Sequence, residues 1–156
     1  MSKHALRKSD IKDLNERINV YGISLDPKGD KVEIVDNKIV LVNDKPEFFF
    51  FEHDIYILPT LKTVLSKNVT MKKVVVDMGA VKFVAGGADI MRPGIKEFDE
   101  FQKNDFVVIV DEKNRKPLAI GQMQNSSEEL KTITTGKVIK NIHFVGDKIW
   151  NFGTEK

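Results

Sequence analysis

The sequence predicts an α+β chain of two small domains, an α+β N-terminal half over residues 1–72 and a barrel-like β half over residues 73–156. Three observations carry that prediction. The first half combines one amphipathic helical stripe with several short strand-like pieces. A polar stretch, Asn68 to Lys73, then marks a change of texture and reads as a linker. Beyond it, many short apolar runs alternate with Gly, Pro and polar turns, and few could be helices, which is the pattern of a small β-barrel.

In the first half, the opening residues, with Lys3, Arg7 and Lys8, read as frayed. Ser9 then stands as a helix N-cap, followed by Asp10 and Asp13 where the helix dipole favours negative charge. Ile11, Leu14, Ile18 and Tyr21 recur at helical spacing and draw one apolar stripe, which Gly22 ends. Lys31 to Val35 and Lys38 to Asn43 flank Asp36-Asn37, a two-residue hairpin signal. Phe48 to Glu52 and Ile55 to Leu58 add two more strands, and Pro59-Thr60 opens a short helix over Leu61 to Ser66. Four consecutive phenylalanines, Phe48 to Phe51, raise the question of base stacking. Alternation along a strand sends two rings to each face, so core or interdomain packing is the favoured reading.

The second half turns on Val76 to Ile95, where Gly79, Gly86, Gly87, Pro93 and Gly94 punctuate an apolar run. Val74 to Val76 reads as a strand, Ala80 to Ala85 as a short helical turn, and Gly86-Gly87 as a tight bend whose backbone amides are expected to face a ligand. Ile90-Met91 and the Arg92-Pro93-Gly94 turn follow. Phe106 to Val110 and Pro117 to Gln122 form a hairpin with a basic tip over Asp111 to Lys116. Ser126 to Glu129 has the spacing of a capping box and opens a short helix through Leu130. Lys137 to Phe144 and Lys148 to Phe152 are expected to close the chain as a final hairpin.

Composition narrows the function. With 41% hydrophobic and 31% charged residues the chain has the profile of a folded globular protein. Its longest apolar runs fall well short of the roughly 20 residues of a membrane helix, and no secretory segment opens it, so a cytoplasmic location is expected. The absence of cysteine excludes disulfides, thiolate metal sites and cysteine nucleophiles. Net charge is only +2, so any nucleic-acid site must be a local patch.

Signatures of chemistry are missing. No nucleophile elbow, dinucleotide-binding glycine motif or phosphate loop occurs. His4, His53 and His143 lie far apart with no carboxylate at ligand spacing, so neither a metal nor another cofactor is expected. Asp77 and Asp89 bracket the central stretch, but Asp beside a glycine turn more often binds its own backbone. The chain therefore reads as a binding protein and not an enzyme. Lys82, Arg92, Lys113, Arg115, Lys116, Lys137 and Lys140 supply cations that could line a phosphate groove beside Gly86-Gly87.

Several of these residues carry a family likeness. Gly79-Ala80, the Gly87-Ala88-Asp89-Ile90-Met91 run with Pro93-Gly94, Asn104-Asp105-Phe106-Val107 and Ala119-Ile120-Gly121 resemble the PUA domain, the RNA-binding pseudobarrel named after pseudouridine synthases and archaeosine transglycosylases. Over nearly the whole chain, the Asp77 to Val84 segment, Asn141-Ile142-His143-Phe144, Trp150 and Pro59-Thr60-Leu61 are similar to the malignant-T-cell-amplified-sequence family and its archaeal relatives. The resemblance implies an α+β pre-PUA domain packed on a C-terminal PUA β-pseudobarrel. It further implies a partner of structured RNA, tRNA or small-subunit rRNA, working on the small ribosomal subunit with an initiation-factor-like protein; a monomer is expected independently of it. The implied RNA-facing residues are Lys82, Phe83, Gly86, Gly87, Ala88, Asp89 and Arg92, with the last strands as the other wall; Lys113, Arg115, Lys137 and Lys140 are added as RNA-binding candidates by the cation pattern above. The rival reading is an accessory subunit or enzyme of tRNA or rRNA modification.

Overall fold

The computed structural model describes residues 1–154 and divides the chain into two compact units. The first holds Met1–Thr70 and the described residues from Asn151 to Thr154, and the second holds Met71–Trp150.

The first unit is a five-stranded antiparallel sheet in the order β1-β2-β3-β4-β5. Its strands are β1 (Lys3–Ala5), β2 (Val32–Val35), β3 (Ile39–Val42), β4 (Lys45–Phe51) and β5 (Tyr56–Pro59). One helix, α1 (Lys8–Ile18), buries Ile11, Leu14 and Ile18 against a sheet face carrying Val32, Val40, Val42, Phe48, Phe50 and Ile57. That face collects alternate residues because antiparallel register pairs Ile34 with Val40 and Val40 with Phe48. Helix α2 (Leu61–Ser66) follows β5, with Thr60 as its N-cap accepting from the amide of Thr63. Burial of Phe48, Phe49 and Phe50 confirms packing over stacking for the phenylalanine run.

Three hairpin turns share one device. Asp36-Asn37, Asn43-Asp44 and Glu52-His53 all have both residues at positive φ, the left-handed pair that matches the twist of flanking strands. Two expectations are corrected. The N-terminus is not frayed, because Lys3–Ala5 pairs with β2 and Leu6 N–H donates to Val32 O. Ser9 lies inside α1, and the N-cap position falls on Arg7, whose amide is taken by the Asp10 carboxylate at 3.1 Å.

The second unit is a mixed six-stranded sheet in the order β7-β11-β10-β9-β6-β8. In sequence these are β6 (Lys72–Val76), β7 (Ile90–Met91), β8 (Ile95–Phe98), β9 (Phe106–Asp111), β10 (Pro117–Met123) and β11 (Lys137–Phe144). Helix α3 (Met78–Ala85) follows β6, and α4 (Ser127–Leu130) follows β10 with the reciprocal Ser126 and Glu129 capping box that its spacing predicts. Strands β7 and β8 sit at opposite edges of the sheet yet are joined by the single turn Arg92–Gly94. A flat sheet of this size would hold its edges roughly 24 Å apart, whereas such a turn spans about 14 Å at most, so the sheet must curl into a half-barrel. Gly121 sits at a register shift in β10, where an added Cβ would lie 2.5 Å from Ile139 Cγ2. The core gathers Val74, Val76, Val107, Ile109, Ala119, Met123 and Ile139 with Val84 of α3.

The expected closing hairpin is absent among the described residues: Lys148 to Phe152 is a series of turns. The cause is Asp147, whose carboxylate accepts from the amides of Phe144 at 2.9 Å and Trp150 at 2.8 Å and so folds the segment back on itself.

Candidate nucleic-acid interface

Helix α3 positions the site. Asp77 caps it by accepting from the Ala80 amide at 2.8 Å, and Val84 is its buried anchor. The remaining face stays outside, with Phe83 60% exposed and the Lys82 ammonium 5.2 Å from the centre of its ring. The exposed ring with a cation beside it offers a stacking surface and a positive charge at one place.

The bend after α3 is fastened to β11 by side chains. Asn141 donates through Nδ2 to Val84 O and Ala88 O, both at 3.1 Å, and its own amide donates to Asp89 Oδ1 at 2.8 Å. Lys137 Nζ meets the other Asp89 oxygen at 3.4 Å. Gly87 has φ +92° and lies so close to the Phe144 ring that an added Cβ would be 2.7 Å from Cε1. Glycine is required there for both conformation and space.

This construction overturns one expectation. The amides of Gly86, Gly87 and Ala88 do not face a ligand; they close the C-terminus of α3. Gly86 N–H donates to Lys82 O and Phe83 O, Gly87 N–H to Val84 O, and Ala88 N–H to Phe83 O, within 3.0–3.1 Å. Orphan carbonyls at a helix end need donors, and this bend supplies them.

Arg92 is likewise turned to internal work. Its guanidinium donates through Nε to Leu130 O at 3.0 Å and through Nη1 to Ile95 O at 3.4 Å, and it rests 5.5 Å over the Phe98 ring. Asp77 binds its own backbone as expected, but Asp89 does not close its own turn: it accepts from the Asn141 amide, 52 residues away.

The other cations form a second group on the β9–β10 hairpin tip, where Lys113, Arg115 and Lys116 are exposed. Arg115 pairs with Glu97 at 3.0 Å. The tip is ordered by Asp111, which accepts from the Asn114 amide at 2.6 Å; backbone hydrogen bonds of this kind, Asn114 first, hold its carboxyl below the usual range. Next along the chain, Glu112 accepts from the Met78 amide at 2.9 Å and ties the tip to the start of α3. Lys140 is exposed on β11 opposite Gln122. Asp89 and Lys137 thus meet just past the C-terminal end of α3, Lys82 and Phe83 lie on the helix itself, and the tip with Lys113 and Arg115 is tied to its start through Glu112.

Sequence reasoning missed Asn141, Phe144 and Glu112 as supports because their partners lie 34–57 residues away. It also missed the fully buried His143, whose Nδ1 meets the Asp147 carboxylate at 2.9 and 3.0 Å. A His-x-x-x-Asp spacing was the available signal. No group of three or more metal-ligating side chains occurs among the described residues, and no helix among them is long and apolar enough to cross a membrane.

Comparison with known proteins meets this geometry. The PUA domain model matches residues 72–145, and a domain of unknown function, DUF1947, matches residues 2–67. The chain is 41% identical to an uncharacterized protein of Methanocaldococcus jannaschii over 96% of both chains. It is 36% identical to translation machinery-associated protein 20 of Saccharomyces cerevisiae, over 83% of this chain and 76% of that protein. Among solved structures, a hypothetical protein from Pyrococcus horikoshii superposes with a TM-score of 0.79 at 36% identity, covering 96% of this chain and 98% of the other.

Proposed function

Because the chain belongs to the PUA-domain family of translation machinery-associated protein 20 and malignant T-cell-amplified sequence 1, we propose that it is a non-catalytic RNA-binding protein of the translation machinery. Its RNA is a structured one, tRNA or small-subunit rRNA, met in the cytoplasm. Engagement with the small ribosomal subunit and an initiation-factor-like protein belongs to the same proposal.

The observation that carries this reading is the exposed Phe83 ring with the Lys82 ammonium above it, both on α3, whose C-terminal end is fastened to β11 by Asn141. Contact is made by side chains: an unpaired base stacks on Phe83, and Lys82 reaches a phosphate, with Lys113 and Lys116 as further phosphate contacts. Base–aromatic stacking contributes about 1–3 kcal/mol. Net charge is +2, and Arg115 and Lys137 already face carboxylates, so few phosphates are neutralised. The expected dependence of log affinity on log salt is correspondingly shallow, a slope of about −1 to −3.

Titration of structured RNA at several salt concentrations tests this. Lys82→Glu with Phe83→Ala is expected to weaken binding by about tenfold or more while leaving the fold intact. Retention of full affinity in the double variant overturns the reading.

A further inference from the structure

The first unit holds a cleft of about 800 Å³ that the reading above does not use, lined in part by Arg17 of α1, Ile34 of β2, Phe50 of β4 and the two turns that carry Lys38 and His53. It lies at the end of the helix-bearing sheet face, since Ile34 and Phe50 belong to that face. Phe50, only 6% exposed, forms the floor. The Arg17 guanidinium is suspended over that ring, 5.7 Å from its centre, by Nη2 donating to Asp54 O at 2.8 Å and Ile55 O at 3.0 Å. One nitrogen makes both bonds, and Arg17 forms no ion pair among the described residues. The guanidinium is thus held over the Phe50 ring by two carbonyls while Arg17 remains an exposed residue.

The same cleft is lined by His4, His53, Asp54 and Lys38, whose ammonium lies 5.7 Å from the centre of the Phe49 ring. The imidazoles of His4 and His53 make no hydrogen bond to the described residues. Asp36, the other acid of the cleft, is already engaged by the Ser2 amide at 2.7 Å. His4 belongs to β1, whereas Asp36 and His53 lie in left-handed residue pairs, Asp36-Asn37 and Glu52-His53, of the two turns.

Formal charges of Arg17 and Lys38 are balanced by Asp36 and Asp54, so a bare anion gains little from this cleft. A ligand with a flat ring, an anionic group and a hydrogen-bond donor uses all of it. We propose that the cleft binds a nucleotide unit. The base stacks on the outer face of Arg17, as bases do on guanidinium planes. Its phosphate is met by Lys38, His4 and His53, and Asp54 accepts from an exocyclic amino group. The volume falls in the range of small-ligand sites, about 300–1,000 Å³. A free nucleotide and an unpaired residue of RNA present the same chemistry.

The test is amide chemical-shift titration of the full chain with AMP, UMP, adenosine and inorganic phosphate. AMP is expected to move Ile34, Lys38 and His53 saturably at millimolar concentration. UMP, lacking the amino donor, is expected to bind about threefold to tenfold more weakly, the worth of one hydrogen bond. Adenosine and phosphate should each be weaker than AMP. Arg17→Gln should abolish the shifts. Because Arg17 also ties α1 to the β4–β5 turn, Lys38→Glu on an exposed turn serves as a second variant, with about a tenfold loss expected. An unpaired oligonucleotide giving the same shifts at lower concentration than AMP identifies RNA as the source, and tighter AMP identifies the free nucleotide. Phosphate alone reproducing the shifts, or AMP moving none of the cleft residues, overturns the proposal. The proposal is independent of the RNA reading of α3, which the Lys82 and Phe83 variants test separately.

Discussion

The two units reach order by different routes. In the first, α1 and the sheet are joined through alternate apolar residues, and each hairpin turn is settled by two adjacent residues at positive φ. In the second, the apolar core is comparable, but the functional bend is held by polar side chains reaching far along the chain: Asn141 to the end of α3, Glu112 to its start, Arg92 to α4 and β8. The first unit has distant polar ties too, Arg17 to Asp54 O and Ile55 O and Tyr21 to Ile57 O, but an apolar face seats its helix, so the sheet is expected to survive loss of one such tie. A region stapled by distant hydrogen bonds can lose its local geometry while its core survives.

The largest effect that this contrast predicts is in the first core. Phe48 is fully buried between strands and helix, and Phe48→Ala is expected to cost about 3–5 kcal/mol in chemical denaturation. A loss below 1 kcal/mol would mean the phenylalanine run is not the keystone of that unit.

Next comes Asn141→Ala, which deletes two bonds to backbone carbonyls and leaves both without that donor. The expected cost is about 1–3 kcal/mol, with hydrogen exchange of the Gly86, Gly87 and Ala88 amides accelerated more than that of the β9 and β10 amides. Uniform acceleration would erase the distinction between a local staple and the core.

The smallest effect is in the acid limb of stability. Burial raises the Asp147 carboxyl, but His143 and the amides of Trp150 and Phe144 outweigh it, and the net shift is downward. A carboxyl depressed in the folded state contributes stability that is fully present above its unfolded value, about pH 3.9, and is lost as pH falls through the lower folded value. Asp147→Asn should therefore flatten the pH dependence below about pH 4 in denaturation midpoints measured from pH 2 to 7. An unchanged acid limb would remove Asp147 from the account.

The same contrast explains what could be read from the sequence. The α1 stripe, the Asp36-Asn37 hairpin, the short helix over Leu61 to Ser66 and the Ser126 capping box are encoded by residues within a few positions of each other, and all four stand in the structure. The bend at Gly86-Gly87 was also legible as a bend. Its amides were misassigned because the same glycine signature serves a helix C-cap and a ligand nest, and only the partners distinguish them. Arg92 looked like a surface cation because its acceptors, Leu130 O and Ile95 O, are set by the curl of the sheet. Pairing of β1 with β2 and the role of Asp147 likewise depend on register and turn geometry that no local pattern announces.

The side-chain face of α3 is tested most directly by ultraviolet crosslinking of the full chain to a bound structured RNA, with the modified residue located by peptide mass spectrometry. The proposed contact predicts an adduct on the peptide containing Phe83, lost in Phe83→Ala. Adducts confined to other elements, with binding undiminished in that variant, would contradict it.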